Sequence, residues 1–383
     1  MNKKNAYLCL LLTPILVMVL VSAFACKKSS QATFPTMFAS PTPTPGGTST
    51  SSSGPCTFIS QWKGASVTLN NPHGIAVDYQ DNIYVSSYGN KYIQVFKSTG
   101  AAVTSWSVSY FPEGIGVDNA INVYVADQNG NQVYKYTKDG SPIKSQSVAS
   151  VGVTCGWYVT PDATSTPSTG VTTYLTGTWN YEGPMGVALD GSGNLYNTSF
   201  WDLYSDPCGN EYEAHLWKYT NGSGMWDTLW RSVVVGTTNP VYATVNYAGT
   251  YAYVADSSAN HVYCINTSLL SSPLTYVARV PDVASTGGGT GDTQFNAPHG
   301  VAVDSNGHVF VADTHNNRIK VYDSTLTTLL AKIGKTDSSG NPIAGTGVGE
   351  FNNPWAVAVD NENNLYVSDT INNRIQKFSP YIP

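Results

Sequence analysis

The chain is 383 residues long, with 41% hydrophobic, 12% aromatic and only 11% charged residues, and a formal net charge of −6. An acidic chain without a lysine- or arginine-rich run lacks the electrostatic footprint of a nucleic-acid binder, so the expectation is no nucleic-acid partner.

Taken in chain order, the first element is an export signal. Lys3 and Lys4 precede an apolar stretch from Tyr7 to Phe24, and Ala23-Phe24-Ala25 supplies small residues for cleavage. Residues 1–25 are therefore read as a signal peptide. Their removal leaves 17 Lys plus Arg against 25 Asp plus Glu, a formal charge of −8. Cys26 follows directly, and small-x-small-Cys at this place is similar to a bacterial lipobox. That likeness implies lipidation of Cys26 and a lipid-anchored protein of the bacterial cell envelope, at the outer membrane or cell surface. Residues 26–55 continue rich in Ser, Thr, Pro and Gly. Such a tract cannot build a core and is expected to act as a tether, leaving residues 56–383 as the folded part.

That folded part is organised by a returning phrase. Pro72, Pro112, Pro184, Pro240, Pro298 and Pro354 each open one, at intervals of 40, 72, 56, 58 and 56 residues. The clearest copies are Asn-Ala-Pro-His-Gly-Val-Ala-Val-Asp, ending at Asp304, and Asn-Asn-Pro-Trp-Ala-Val-Ala-Val-Asp, ending at Asp360. Within each unit apolar residues alternate over four to six positions, which is strand periodicity. In the fifth unit the expected strands are Gly300 to Val303, His308 to Ala312, Arg318 to Tyr322 and Thr328 to Ile333. Four strands per unit and a fixed repeat predict an all-β, six-bladed β-propeller. The last unit ends after its third strand. Residues 57–64 look like the missing fourth, and pairing them with Arg374 to Phe378 would close the ring and cover two edges. The phrase-ending acids Asp78, Asp118, Asp190, Asp304 and Asp360 precede Gly/Asn-rich turns and are read as turn-bonding carboxylates.

These residues carry a family resemblance. Phe-Asn-Asn-Pro-x-Ala-Val-Ala-Val-Asp, followed by Leu-Tyr-Val-Ser-Asp-Thr-x-Asn-Asn-Arg-Ile, resembles the NHL repeat, which implies the same six-bladed propeller over about residues 56 to 383. The Pro-His-Gly phrases also resemble those of peptidyl-hydroxyglycine amidating lyase, a propeller that holds zinc with three histidines on alternate blades. On that pattern His73 and His299 stand at two of the positions and Met185 at the third. The likeness implies zinc or another divalent metal on His73 and His299, with Glu113 as a substitute ligand from a neighbouring blade. The missing third histidine argues against the lyase reaction.

The residue after each phrase proline should recur around the channel mouth: His73, Glu113, Met185, Val241, His299 and Trp355. His215, His261, His308 and His315 are expected at the surface. Two insertions, near 149–183 and 197–214, are rich in large aromatics, including Trp157, Trp179, Phe200, Trp201 and Tyr204. With Trp355 these are candidate binding residues. Four cysteines remain in the folded part, which permits three pairings; Cys155 and Cys208 are the candidate disulfide pair, and Cys56 and Cys264, in or beside strands of different blades, need not be bridged. The function expected is a non-catalytic binding or scaffold module for a protein, peptide or glycan, without a cofactor and touching the membrane through its lipid anchor only. The alternative is a metal-dependent enzyme at the channel mouth.

Overall fold

The computed structural model describes residues 56–64, 67–130, 132–147, 183–200, 214–219, 229–233, 240–267, 276–281 and 288–382. These residues form an all-β β-propeller. Strand β1 (Phe58–Trp62) precedes a first full sheet of β2 (Pro72–Val77), β3 (Asn82–Ser87), β4 (Tyr92–Lys97) and β5 (Ala102–Ser107). The next holds β6 (Ile115–Val117), β7 (Val123–Asp127), β8 (Gln132–Tyr136) and β9 (Pro142–Ser147). It is followed by β10 (Gly183–Leu189), β11 (Leu195–Phe200), β12 (Ala214–Tyr219) and β13 (Leu229–Val233). Then come β14 (Pro240–Val245), β15 (Tyr251–Asp256), β16 (His261–Asn266) and β17 (Tyr276–Val280). A sheet of five strands contains β18 (Pro298–Val303), β19 (Val309–Asp313), β20 (Arg318–Tyr322), β21 (Leu329–Thr336) and the short β22 (Pro342–Ile343). The last contains β23 (Pro354–Val359), β24 (Leu365–Asp369) and β25 (Arg374–Phe378), with β1 antiparallel to β25 at its outer edge.

The first strand of each sheet lies innermost. Strand β2 packs on β6, β6 on β10, β10 on β14, β14 on β18, β18 on β23, and β23 on β2. These strands approach one another very closely. A Cβ added to Gly74 would lie 2.6 Å from the Glu113 carbonyl oxygen of the neighbouring strand. Cores fill the wedges between sheets: Phe310, Ile319, Val321, Phe351, Val367 and Phe378 form one cluster joining the last two sheets.

Each inner strand begins at what we call the mouth face and ends at the turn face. At the turn face Asp78 Oδ1 accepts the Gln80 and Asn82 backbone N–H groups at 2.8 and 2.9 Å. Its Oδ2 accepts from Asn82 Nδ2 at 2.7 Å and the Tyr84 hydroxyl at 3.0 Å. The same carboxylate-centred turn recurs at Asp118, Asp190 and Asp360. At Asp304 the ring nitrogen of His308 replaces the asparagine amide. Burial first, and the adjacent carboxylate second, hold the Tyr84, Tyr124, Tyr196 and Tyr366 hydroxyls well above the usual tyrosine range.

At the mouth face, asparagines couple neighbouring sheets. Asn373 Oδ1 accepts the Asn71 N–H at 2.8 Å, and Asn317 Oδ1 accepts the Asn353 N–H at 2.9 Å. Both acceptors sit in the left-handed region, φ 54° and 51°, which asparagine tolerates better than most residues. Beside them Arg374 donates Nε to Asp369 at 2.7 Å. Its guanidinium also reaches the Thr346, Gly347 and Glu350 carbonyls and the Gln61 side chain, tying β1 and the lead-in segment to the sheet.

The fifth-unit strands lie within two residues of their expected starts, and β22 extends that sheet further. Residues 197–200 belong to β11 rather than to an insertion, and Asn197 Nδ2 is buried against the Gly186 carbonyl at 2.8 Å. The rest of 197–214 up to residue 213, and 149–183 up to residue 182, lies outside the described residues, as do Cys26, Cys155 and Cys208. Cys56 and Cys264 are buried. Among the described residues, no helix is long and apolar enough to cross a membrane.

The Asp369–Arg374 pair is buried on both sides, so removing one partner strands a charge. Arg374→Met should lower unfolding free energy by about 3–5 kcal/mol in chemical denaturation. Lys332→Met, at the exposed pair with Asp292 (2.6 Å), should cost less than about 1 kcal/mol.

Candidate functional site

Of the residues expected around the mouth, His73, His299 and Trp355 meet there through their rings. Phe111 leans on Tyr88 with ring centroids 5.0 Å apart. Tyr88 stacks on His73 at 4.3 Å, and His73 stacks on Trp355 at 4.3 Å with planes only 12° apart. Trp355 then meets His299 at 3.9 Å. Five rings, from three neighbouring sheets and the loop that leads into a fourth, thus run as one stack across the channel mouth. Stacked pairs contribute about 0.5–1.5 kcal/mol each beyond the area they bury. At one end Lys91 Nζ sits 4.1 Å over the Phe111 ring.

His73 has both faces covered, so its chemistry is confined to its edge. Nδ1 lies 2.9 Å from Glu113 Oε2, and both side chains are buried. Glu113 is delivered by the neighbouring phrase; its backbone N–H donates to the Ala126 carbonyl. The Ser86 hydroxyl on β3 accepts the Gly74 N–H at 2.7 Å and donates to the Glu113 carbonyl at 2.5 Å, which bridges β2 to the segment leading into β6. His299 is held differently. Its Nδ1 lies 2.9 Å from the Ala297 carbonyl, which can only accept, so Nδ1 carries the proton. A neutral ring then has a lone pair on Nε2. Burial, outweighing that carbonyl, pushes the imidazole down to about 4, with nearby His315 and His73 adding to the shift.

Below the stack stands a residue the sequence reading passed over. Tyr242 occupies the place held by glycine in the phrases at Gly74, Gly114, Gly186 and Gly300. Its buried side chain belongs to one apolar cluster with Ile75 and Ala356, against which Met185 and Trp355 pack. Burial and the Glu113 charge hold its hydroxyl well above the usual tyrosine range. The Tyr242 hydroxyl and the Trp355 indole N–H are both buried without a well-formed hydrogen bond, although Trp355 lies near enough to act on Tyr242. The signal was legible: one bulky residue where four phrases carry glycine.

Of the candidate metal ligands, His73 and Glu113 are brought together as a hydrogen-bonded pair. Trp355 stands between His73 and His299, touching both rings. Among the described residues no group of three or more His, Cys, Asp and Glu side chains is placed to hold a metal ion. Trp355 is a member of the stack. Trp157, Trp179, Trp201 and Tyr204 lie outside the described residues, and of Phe200 only the backbone, at the end of β11, is described. His315 is exposed as expected, whereas His261 is buried: it opens β16, and its Nδ1 turns back to the Ala259 carbonyl.

His299 gives a pH prediction. Its folded-state value lies below the unfolded value near 6.5, so the unfolded chain binds the proton first. The related stability is complete above about pH 6.5 and declines as pH falls toward 4. NMR titration should show the His299 ring neutral at pH 5.5, and His299→Asn should remove that part of the acid-side loss of stability.

Solved structures share this architecture. A Bacteroides thetaiotaomicron protein of unknown function is 15% identical, with a TM-score of 0.56, covering 85% of this chain and 73% of that one. An auxiliary nutrient binding protein from Bacteroides thetaiotaomicron is 13% identical, with a TM-score of 0.55, covering 81% and 69%. A luciferin-regenerating enzyme is 13% identical, with a TM-score of 0.52, covering 81% and 92%. At such identities the likeness is one of fold. No curated protein matches the sequence. The sequence model of the NHL repeat matches residues 295–322 and 351–378, so these two segments of the β-propeller are similar to NHL repeats.

Proposed function

We propose that this chain is an exported, lipid-anchored binding or scaffold module of the bacterial cell envelope. In this reading it is a ring of six blades closed by the N-terminal strand, and it takes a protein, peptide or glycan at its mouth face. The observation that carries the reading is the ring stack. It fills the mouth with rigid aromatic contact area and leaves ring edges and the half-buried Tyr88 and Trp355 for a partner. The aromatic segments with Trp157, Trp179, Phe200, Trp201 and Tyr204 would extend that surface, with Cys155 and Cys208 bridging them. Propellers of this fold include proteins described as nutrient-binding and others described as lyases, so the fold alone does not choose. The proposed partner set includes no nucleic acid, and the membrane is met through lipid on Cys26.

A second reading is a metal-dependent enzyme resembling amidating lyase. It draws on the neutral His299 ring with its lone pair near the axis. It needs further ligands that the His73–Glu113 pair supplies only if that hydrogen bond is given up.

The first reading is tested by titrating peptide and oligosaccharide sets against the protein and following indole fluorescence. Saturable binding should appear for one class and weaken at least about tenfold in Trp355→Ala, as for an aromatic anchor worth over 1.4 kcal/mol. A ligand bound equally by parent and Trp355→Ala would move the site away from the mouth.

A further inference from the structure

The path of the chain fixes which face the tether leaves from. Strand β23 starts at the mouth with Trp355 and ends at the Asp360 turn; β24 returns, and β25 runs from the mouth side again to Phe378. Strand β1 is antiparallel to it, with Phe58 opposite Phe378 and Trp62 opposite Ile375. The start of β1 is therefore at the turn face. Neighbouring contacts agree. The Thr57 N–H donates to Ser379 Oγ at 2.9 Å, and the Ser379 N–H donates to the Thr57 carbonyl at 2.8 Å. Cys56 is buried in the same cluster as Phe378, within electrostatic reach of the turn-face Asp304. The Tyr381 ring meets His308, on that same turn, at 4.9 Å. The folded chain is thus entered and left by the face opposite the ring stack.

We infer that, in the anchored protein, the turn face is held next to the lipid surface and the ring-stack mouth is presented away from it. The inference rests on the proposed lipidation of Cys26. Residues 27–55 would then be the leash, and a flexible chain of that length, rich in Ser, Thr and Pro, spans at least about 30 Å root-mean-square. The six-residue inner strands alone are about 20 Å tall. Turning the mouth toward the membrane would use about 20 Å of that reach along the side of the propeller. The reverse orientation needs no such extension.

The surface chemistry fits this assignment. Tyr79 and Tyr247, 51% and 63% exposed, follow Asp78 and Asn246 on turn-face loops, and Ile382 is exposed at the chain end. Exposed tyrosines suit the headgroup level of a bilayer, where an apolar ring and a polar tip are both satisfied. The turns of this face carry both signs, Asp81 and Glu362 beside the exposed Lys97 and Lys138, so a zwitterionic surface fits it.

The test uses the full lipidated chain in phosphatidylcholine vesicles carrying an acceptor dye at the headgroups. A donor dye is attached through an azide-bearing residue placed at exposed Asn306, on the turn face, or at exposed His315, on the mouth face. A height difference of at least about 20 Å should make transfer about twofold or more stronger from position 306 than from 315. Equal or reversed transfer, with the protein bound to vesicles, overturns the inference alone. Failure of the parent chain to bind vesicles better than Cys26→Ser overturns the lipidation reading, and the inference with it.

Discussion

The structure depends on how closely the inner strands can approach. At Gly74 a Cβ would meet the backbone of the neighbouring strand at Glu113 and Ile115, and at Gly186 it would meet Tyr242 Cα at 2.8 Å. Backbone-to-backbone contact of this kind leaves no room for side chains between inner strands. The preceding residue of each phrase is therefore carried to the mouth. That is why His73, Glu113, Met185, His299 and Trp355 converge although they are far apart in sequence. Where glycine is replaced by Tyr242, the side chain is buried in an apolar cluster shared by residues of the first and last sheets.

The turns and latches serve the same arrangement. Carboxylates at the turn face absorb backbone N–H groups that a tight turn leaves unbonded. Asparagines at the mouth face accept an N–H from the next sheet. Arg374 and its counterpart Arg318 gather lead-in carbonyls around a buried aspartate. Each device bonds groups close in sequence or in adjacent sheets, so each recurs as a local motif.

This locality explains what the sequence made legible. The phrase prolines, the alternating strands and the turn-face aspartates could be read because their partners lie within a few residues. The pairing of residues near Phe58 with β25 followed from counting strands in the last unit. The candidate site was legible only in part. That His73 and Glu113 would be neighbours followed from their places in successive phrases. That Trp355 would fill the space between His73 and His299 did not, because it depends on ring size and on how much axis Tyr242 leaves open. His261 was misjudged because a strand-end histidine can fold back onto its own backbone and be buried.

What divides a binding surface from a metal centre is whether the imidazoles of the mouth are engaged with rings and Glu113 or with an ion. Elemental analysis of the intact purified chain, beside a His73→Ala/His299→Ala variant, tests this most directly. The account predicts no stoichiometric transition metal in either protein. Near-stoichiometric zinc in the parent, lost in the double variant, would contradict it.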